Sequence, residues 1–238
     1  MTKLSININK VALIRNSRGG NYPDLVKFAQ DCEIFGAQGI TIHPRPDERH
    51  ARFSDILDLK NVVTTELNIE GKPHQRFLDE VLKHKPHQCT LVPDADNAIT
   101  SDSGWDTIKY QSYLTDIIKD LKAAGIRVSI FLNADTKLVE SAAKTGADRI
   151  ELYTGPYAEQ FAQGKEKAIA DFIATAQAAA SVGLGLNAGH DLNLMNLKYF
   201  KSQIPNLLEV SIGHALISDA LYYGISNTIQ QYLLQLVD

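Results

Sequence analysis

Four times in this chain a helix-like stretch ends on glycine and passes within a few residues into a short apolar or β-branched run. The joints read Phe35-Gly36-Ala37-Gln38-Gly39-Ile40-Thr41-Ile42, Ala124-Gly125-Ile126-Arg127-Val128-Ser129-Ile130, Thr145-Gly146-Ala147-Asp148-Arg149-Ile150-Glu151-Leu152 and Val182-Gly183-Leu184-Gly185-Leu186-Asn187. Glycine at a helix end takes the left-handed conformation that residues with a Cβ resist, so each joint reads as a helix handing over to a strand. Filling the gaps predicts strands near residues 4–8, 39–43, 62–69, 87–92, 126–131, 148–152, 184–188 and 207–212. Helices are expected at 24–35, 74–84, 108–124, 136–145, 166–182 and 215–236. In the last of these, Leu216, Ala220, Tyr223, Ile229, Leu233 and Leu236 recur near helical spacing. Such alternation specifies parallel βα units. Eight strands in 238 residues predict an α/β protein, a (β/α)8 TIM barrel in one domain over residues 1–238. The rival is an open doubly wound sheet, which calls for a glycine-rich first βα turn. The residues after strand 1 read Lys10-Val11-Ala12-Leu13-Ile14, with no GxGxxG.

Composition narrows the partners. A hydrophobic fraction of 44% and a charged fraction of 22% suit an ordinary globular core. A net charge of -4 argues against a nucleic-acid platform, and the basic cluster from Arg15 to Arg18 is too short to change that. Cys32 and Cys89 show no CxxC spacing and are expected to be buried free thiols in a reducing compartment. The first nine residues lack the features of a signal peptide, and no apolar run nears the roughly 20 residues that span a bilayer. A cytoplasmic location with no membrane partner is the expectation.

The reactive side chains fall at strand ends. Asn7 and Asn9 close the first run, His43 the second and Glu70 the third; Glu151 lies in the sixth, while His190 and His214 follow the seventh and eighth. In a parallel barrel these ends share one mouth, where active sites sit. The longest irregular stretches, Arg15 to Pro23, Pro44 to Ser54 and Pro93 to Trp105, all follow strands and are lid candidates.

Each candidate has a chemistry and a plainer alternative. His43 is followed by Arg45, Arg49 and His50; imidazole moves protons near neutrality, and guanidinium forks hold phosphate oxygens. For Arg49 and Glu48, charges paired in a solvated loop are the simpler reading. Glu66, Asn68 and Glu70 share a strand face with Glu70 nearest the mouth, and burial there would raise its pKa and suit it to base chemistry. Glu151, at a core-facing position, is either catalytic or half of a structural ion pair. Asn187-Ala188-Gly189-His190 and Ser211-Ile212-Gly213-His214-Ala215 form the best phosphate-site candidate, because late barrel loops expose backbone N–H groups and both glycines allow close approach. His43, His50, Glu70, His190 and His214 could in principle ligate a metal, but no pair has HxH or HExxH spacing, and we expect none. His74, His84 and His87 are expected to face solvent away from the mouth. A Schiff-base lysine would need to end an inner strand; only Lys10 comes near, and a phosphate contact is its simpler role.

These motifs, in order along nearly the whole chain, resemble the pyridoxine 5′-phosphate synthase family. They are Asn7-Ile8-Asn9 with Leu13 to Gly19, Gly39 to Arg45 with His50, Leu67-Asn68-Ile69-Glu70, Lys85-Pro86-His87, Leu91-Val92-Pro93, Ile150 to Gly155, Asn187 to His190 and Ile212 to Ala215. The resemblance implies a (β/α)8 barrel that condenses 1-deoxy-D-xylulose 5-phosphate with 3-amino-2-oxopropyl phosphate, releasing phosphate and water. It implies no redox cofactor and a homo-oligomer, the family octamer. It assigns proton transfer to His43, Glu70 and His190, and transition-state stabilisation to Glu151. It places Asn7, Arg18, Gly213 and His214 at the aminoketone phosphate, and Arg45, His50 and Thr100 at the deoxyxylulose phosphate.

The chain departs from the family pattern at three positions. The family usually carries Asn-x-Asp-His after the first strand, where this chain has Asn7-Ile8-Asn9-Lys10; Lys10 still supplies positive charge. After the histidine at position 190 the family usually has Gly, and here Asp191 stands, whose carboxylate is expected to turn away from phosphate while its backbone N–H remains a contact. Two other functions fit the same residues: a phosphosugar isomerase or epimerase with one acid–base pair, and a non-catalytic phosphometabolite-binding relative, suggested by Asn9, Lys10 and Asp191.

Overall fold

The computed structural model describes residues 1–94 and 100–237. Eight strands run parallel and close in sequence order into a barrel: β1 Lys3–Asn7, β2 Gly39–Ile42, β3 Glu66–Gly71, β4 Gln88–Leu91, β5 Arg127–Leu132, β6 Arg149–Tyr153, β7 Gly185–His190 and β8 Leu207–Ile212. Closure is made by β1 on β8, with Lys3 opposite Glu209 and Ser5 opposite Ser211. The four joint glycines all adopt positive φ: Gly36 +103°, Gly125 +83°, Gly146 +83° and Gly183 +77°. The signal read from the sequence was therefore the actual cap conformation.

Ten helices surround the barrel among the described residues: α1 Asn9–Asn16, α2 Leu25–Ile34, α3 Phe53–Val62, α4 Gln75–His84, α5 Gln111–Ala123, α6 Thr136–Lys144, α7 Gly155–Ser181, α8 Leu197–Gln203, α9 His214–Tyr223 and α10 Ile225–Leu234. Several boundaries correct the sequence reading. The expected strand at 62–69 starts only at Glu66, because Phe53, Ile56 and Leu59 bury one face of α3 up to Val62. Helix α7 begins at Gly155 rather than 166 and is interrupted at Gly164. The expected helix at 215–236 divides at Gly224, whose φ is +75°. The irregular stretch from Arg15 is shortened by α1, and that from Pro44 by α3. Of the stretch Pro93 to Trp105, residues 95–99 lie outside the described residues.

The strands put their apolar alternates outward. Leu4, Ile6, Ile40, Ile42, Leu67 and Ile69 are fully buried beneath the helices, and this ring between sheet and helices is the hydrophobic core. The lumen is polar. Across it Asn187 Nδ2 donates to Gln88 Oε1 at 3.5 Å, Thr90 Oγ1 to Asn68 Oδ1 at 3.1 Å, and Arg127 pairs with Glu66. At its floor Glu66 is held by Lys3 and Arg127, which keep its carboxyl down at about 2 despite burial. Barrels are usually plugged by branched apolar side chains. A polar lumen lets carboxylates at the mouth stand on hydrogen-bonding neighbours.

One ion pair ties α1 to α3. Arg15, at 1% exposure, donates from Nη1 and Nη2 to the two carboxylate oxygens of Asp55 at 2.7 and 2.9 Å. Asp55 also accepts the Arg52 N–H at 2.7 Å, and Asn16 Nδ2 donates to the carbonyls of Glu48, Arg49 and His50. The segment from 44 to 52 is therefore held in shape from α1.

Candidate active site

The carboxyl ends of the strands surround a cavity of about 350 Å³, within the range of small-ligand sites. Asn7 ends β1, and Asn9 and Lys10 open α1; His43, Arg45 and His50 follow β2. Glu70 comes from β3, Glu151 from β6, and His190 with Asp191 from β7. Thr100, Gly213 and His214 complete the sequence candidates on the wall. Arg18 is the exception: it lies exposed beyond α1 and does not line the cavity.

Glu70 is buried, and burial pushes its carboxyl up to about 8, reinforced by the charges of Asp94 and Glu209 and opposed by a Ser211 hydrogen bond. It is then largely protonated at neutral pH, within reach of a general acid or base role. Its nearest amide donors are long, Asn7 Nδ2 at 3.4 Å and Asn68 Nδ2 at 3.5 Å. Glu151 is raised as well, first by burial and then by Glu70 and Glu209. Its hydrogen-bond partner is the Thr90 hydroxyl at 3.4 Å, and the charges it faces are carboxylates. The structural alternative of an ion pair to an interior Arg or Lys belongs instead to Glu209, which Arg149 approaches at 3.5 Å.

His43 is held neutral: burial lowers its pKa well below the usual value, and Arg45, His50, Arg49 and His190 lower it further. His50 is lowered to about 4, by burial first and then by Lys10, Arg49 and Arg45. Asn9 has a definite task, since its Oδ1 accepts the His43 N–H at 3.0 Å while its own N–H donates to Asn7 Oδ1 at 3.1 Å. An amide carbonyl thus orients the backbone at His43.

The end of β7 is unusual. His190 sits at φ +92°, a conformation rare for a residue with a Cβ. Its Nδ1 lies 2.6 Å from Asp191 Oδ2, its Nε2 lies 2.7 Å from Thr100 Oγ1, and Tyr153 packs edge-on with ring centroids 5.4 Å apart. The Asp191 carboxylate is thus turned onto the neighbouring imidazole. Its backbone N–H, expected to remain a ligand contact, donates to Thr154 Oγ1 at 3.1 Å.

Gly189 and Gly213 do allow close approach, but to protein atoms. A Cβ on Gly189 would lie 2.3 Å from Glu151 Oε1, and one on Gly213 would lie 3.0 Å from Asn7 Cβ. Gly189→Ala is expected to displace the Glu151 carboxylate and cost about a hundredfold in kcat, as misplacing a reacting group does. The check is turnover alongside a circular dichroism spectrum; wild-type turnover would remove Glu151 from the reaction.

Sequence reasoning missed Asp94 and Ser101, and it named Ser211 only within the phosphate-site segment Ser211 to Ala215. Asp94 is buried; it accepts Arg45 Nη2 at 2.7 Å and Ser101 Oγ at 2.8 Å, and stands 4.0 Å from His43 Nε2. Its signal was present, since it follows β4 at the rim just as His43 follows β2, but it was hidden inside a stretch read as lid. Other expectations are corrected outside the cavity. His74 caps α4, accepting the Phe77 N–H at 3.3 Å and packing against Phe53, and the His84 side chain is 9% exposed, beside Glu80 at 3.1 Å. His87 is exposed as expected, although its Nδ1 accepts the Leu67 N–H. Arg49 pairs with Asp47, Glu48 with Arg76 of α4. Both cysteines are buried and free, and burial raises the Cys32 thiol to about 12. Among the described residues no cluster of three or more His, Cys, Asp or Glu could hold a metal ion, and no helix is long and apolar enough to cross a membrane.

A closed (β/α)8 barrel whose mouth sets buried acid–base groups beside Lys10 and Arg45 defines a barrel enzyme built for anionic small molecules. A family model described as "Pyridoxal phosphate biosynthesis protein PdxJ" matches residues 4–238, and the chain belongs to that family. Proteins named pyridoxine 5′-phosphate synthase are 65% identical in Cytophaga hutchinsonii, over 99% of both chains, and 61% identical in Phocaeicola vulgatus, over 98% of both. Among solved structures, a phosphoribosylanthranilate isomerase of Thermotoga maritima superposes with a TM-score of 0.62 at 11% identity, covering 99% of this chain and 98% of that one. A tryptophan synthase chain of M. tuberculosis gives 0.67 at 7%, covering 99% and 94%. These two share the barrel fold.

Proposed function

We propose that this cavity condenses 1-deoxy-D-xylulose 5-phosphate with 3-amino-2-oxopropyl phosphate to pyridoxine 5′-phosphate, phosphate and water. The observation that carries the reading is a set of acid–base groups around one enclosed space: Glu70 largely protonated near neutrality, His43 neutral, and His190 within the same wall. Forming an imine, expelling phosphate, adding water and closing an aromatic ring call for repeated proton transfers, which such groups perform in turn. In this reading His43, Glu70 and His190 move protons. Glu151, kept protonated by burial beside Glu70, donates a hydrogen bond to developing negative charge. Arg45, His50 and Thr100 take one phosphate; Asn7, Gly213 and His214 at the N-terminus of α9 take the other, where free N–H groups favour an anion. Arg18 joins them only if the segment after α1 moves inward.

Lys10 adds charge on the rim, and Lys10→Met is expected to raise KM for a phosphate substrate about tenfold with a smaller effect on kcat, the loss of one charge-assisted contact. Unchanged KM for both substrates would remove Lys10 from binding. The exposed Leu221, Tyr222 and Leu234 on α9 and α10 support assembly into a homo-oligomer, which light scattering would read. The buried free thiols support a reducing, cytoplasmic setting.

The test is to incubate purified, metal-free protein with both phosphates and follow pyridoxine 5′-phosphate by mass and phosphate by assay. Both products are expected. Conversion of a single phosphosugar without the amine would favour an isomerase instead, and tight binding without turnover a binding protein.

A further inference from the structure

The end of β7 holds one imidazole between two oxygens, and the backbone beneath it is pinned from several sides. Thr154 donates to the Gly189 carbonyl from both N and Oγ1, at 3.2 and 2.7 Å, and accepts the Asp191 N–H. Asn196 Nδ2 donates to the Asp191 carbonyl at 3.3 Å, with Asn193 Nδ2 at 3.5 Å. These bonds maintain His190 at φ +92°, a strained geometry that persists only where its surroundings enforce it. Enforced strain of this kind is accounted for if the ring must point in one direction.

We propose that Asp191 is a positioning residue that fixes His190 in the Nδ1–H tautomer and thereby makes Nε2 the atom that exchanges protons with substrate. This rests on the proposed proton-transfer role of His190. An ionised carboxylate only accepts, so at 2.6 Å from Oδ2 the Nδ1 atom must carry the hydrogen. In the neutral ring Nε2 then holds a lone pair and accepts from the Thr100 hydroxyl at 2.7 Å. A substrate proton takes the place of the hydroxyl when Nε2 acts as base. Asp191 stabilises the resulting imidazolium by keeping its charge-assisted bond and is not itself protonated, the logic by which a carboxylate orients a catalytic histidine. The groups that face the ring are Asp191 itself, Thr100 from the β4–α5 loop, Tyr153 from β6 and, across the cavity, His43.

The direct test is solid-state 15N NMR of histidine-labelled protein, with the His190 signals identified by their loss in His190→Gln. In the wild type, under conditions where the ring is neutral, Nδ1 is expected to be protonated and Nε2 bare; the opposite pattern overturns the proposal without any Asp191 variant. Asp191→Gly and Asp191→Ala are expected to release the ring into a mixture of tautomers. They should lower kcat about tenfold while KM for either phosphate changes less than twofold; Asp191→Asn, whose amide N–H can donate to Nδ1 and hold the other tautomer, should not recover the rate, whereas Asp191→Glu, which keeps an acceptor-only carboxylate, should recover part of it. If the variants instead leave the tautomer and kcat intact and mainly tighten phosphate binding, Asp191 is a repulsive neighbour of the phosphate and not a positioning residue. An inactive wild type with the expected tautomer would count against the condensation reading alone, so the two failures are distinguishable.

Discussion

Glu70→Gln is expected to abolish turnover, by about a thousandfold or more in kcat, and at the same time to make the protein more stable at alkaline pH. Both effects follow from one cause. Burial, with Asp94 and Glu209 nearby, lifts the Glu70 carboxyl from its ordinary 4.5 to about 8, so the folded protein holds a proton that the unfolded chain has released. The stabilising contribution of that proton is full below about pH 4.5 and is lost as the pH climbs through about 8. Glutamine is neutral at every pH and escapes the loss. The difference in unfolding free energy between variant and wild type should therefore be small near pH 5 and grow to a few kcal/mol, in order of magnitude, by pH 9. Urea denaturation at the two pH values, with turnover measured alongside, tests both halves. Parallel stability curves would show that the carboxyl is not raised, and the assignment of Glu70 as a neutral-pH acid or base would fall with it.

The second large effect lies outside the cavity. Arg15→Met leaves Asp55 buried without its partner, which typically costs 3–5 kcal/mol, or a fall in Tm on the order of 10 °C for a chain of this size. Because α1 and α3 together hold the segment that carries Arg45 and His50, the variant should also bind phosphate substrates more weakly at temperatures where it is fully folded. Arg15→Met combined with Asp55→Leu removes both charges and should recover much of the stability, since a buried pair can be replaced by apolar groups at little net cost. KM should remain raised in the double variant, because the clamp is still absent. A single variant with wild-type Tm would refute the claim that this pair organises the loop.

The reasons these two sites differ in how they could be read are physical. Glu70 announces itself locally: a carboxyl at the end of a β-like run in a parallel barrel faces the mouth. The Arg15–Asp55 pair spans 40 positions, and on α1 Arg15 is buried with Val11 and Ala12 while Leu13 and Ile14 are exposed, which hydrophobicity alone does not predict. Asp94 carries the same local signal at the end of β4, but its hold on Arg45 forms only when the ends of β2 and β4 stand near each other in the barrel.

What the sequence by itself determined was the fold and the composition of the mouth. Glycine caps, strand alternation and residues at strand ends are consequences of local backbone geometry, so they survive in a one-dimensional reading, and the four joint glycines adopt the conformation expected of them. What only the tertiary structure decided was the chemical state of each group and its partner. The proton on Glu70 depends first on its burial and then on carboxylates from other elements, the neutrality of His43 on burial and then on the charges around it, and the place of Glu151 on the missing side chain of Gly189. Desolvation and charge act through space over a few ångströms, and only the closed barrel brings residues distant in sequence within that range.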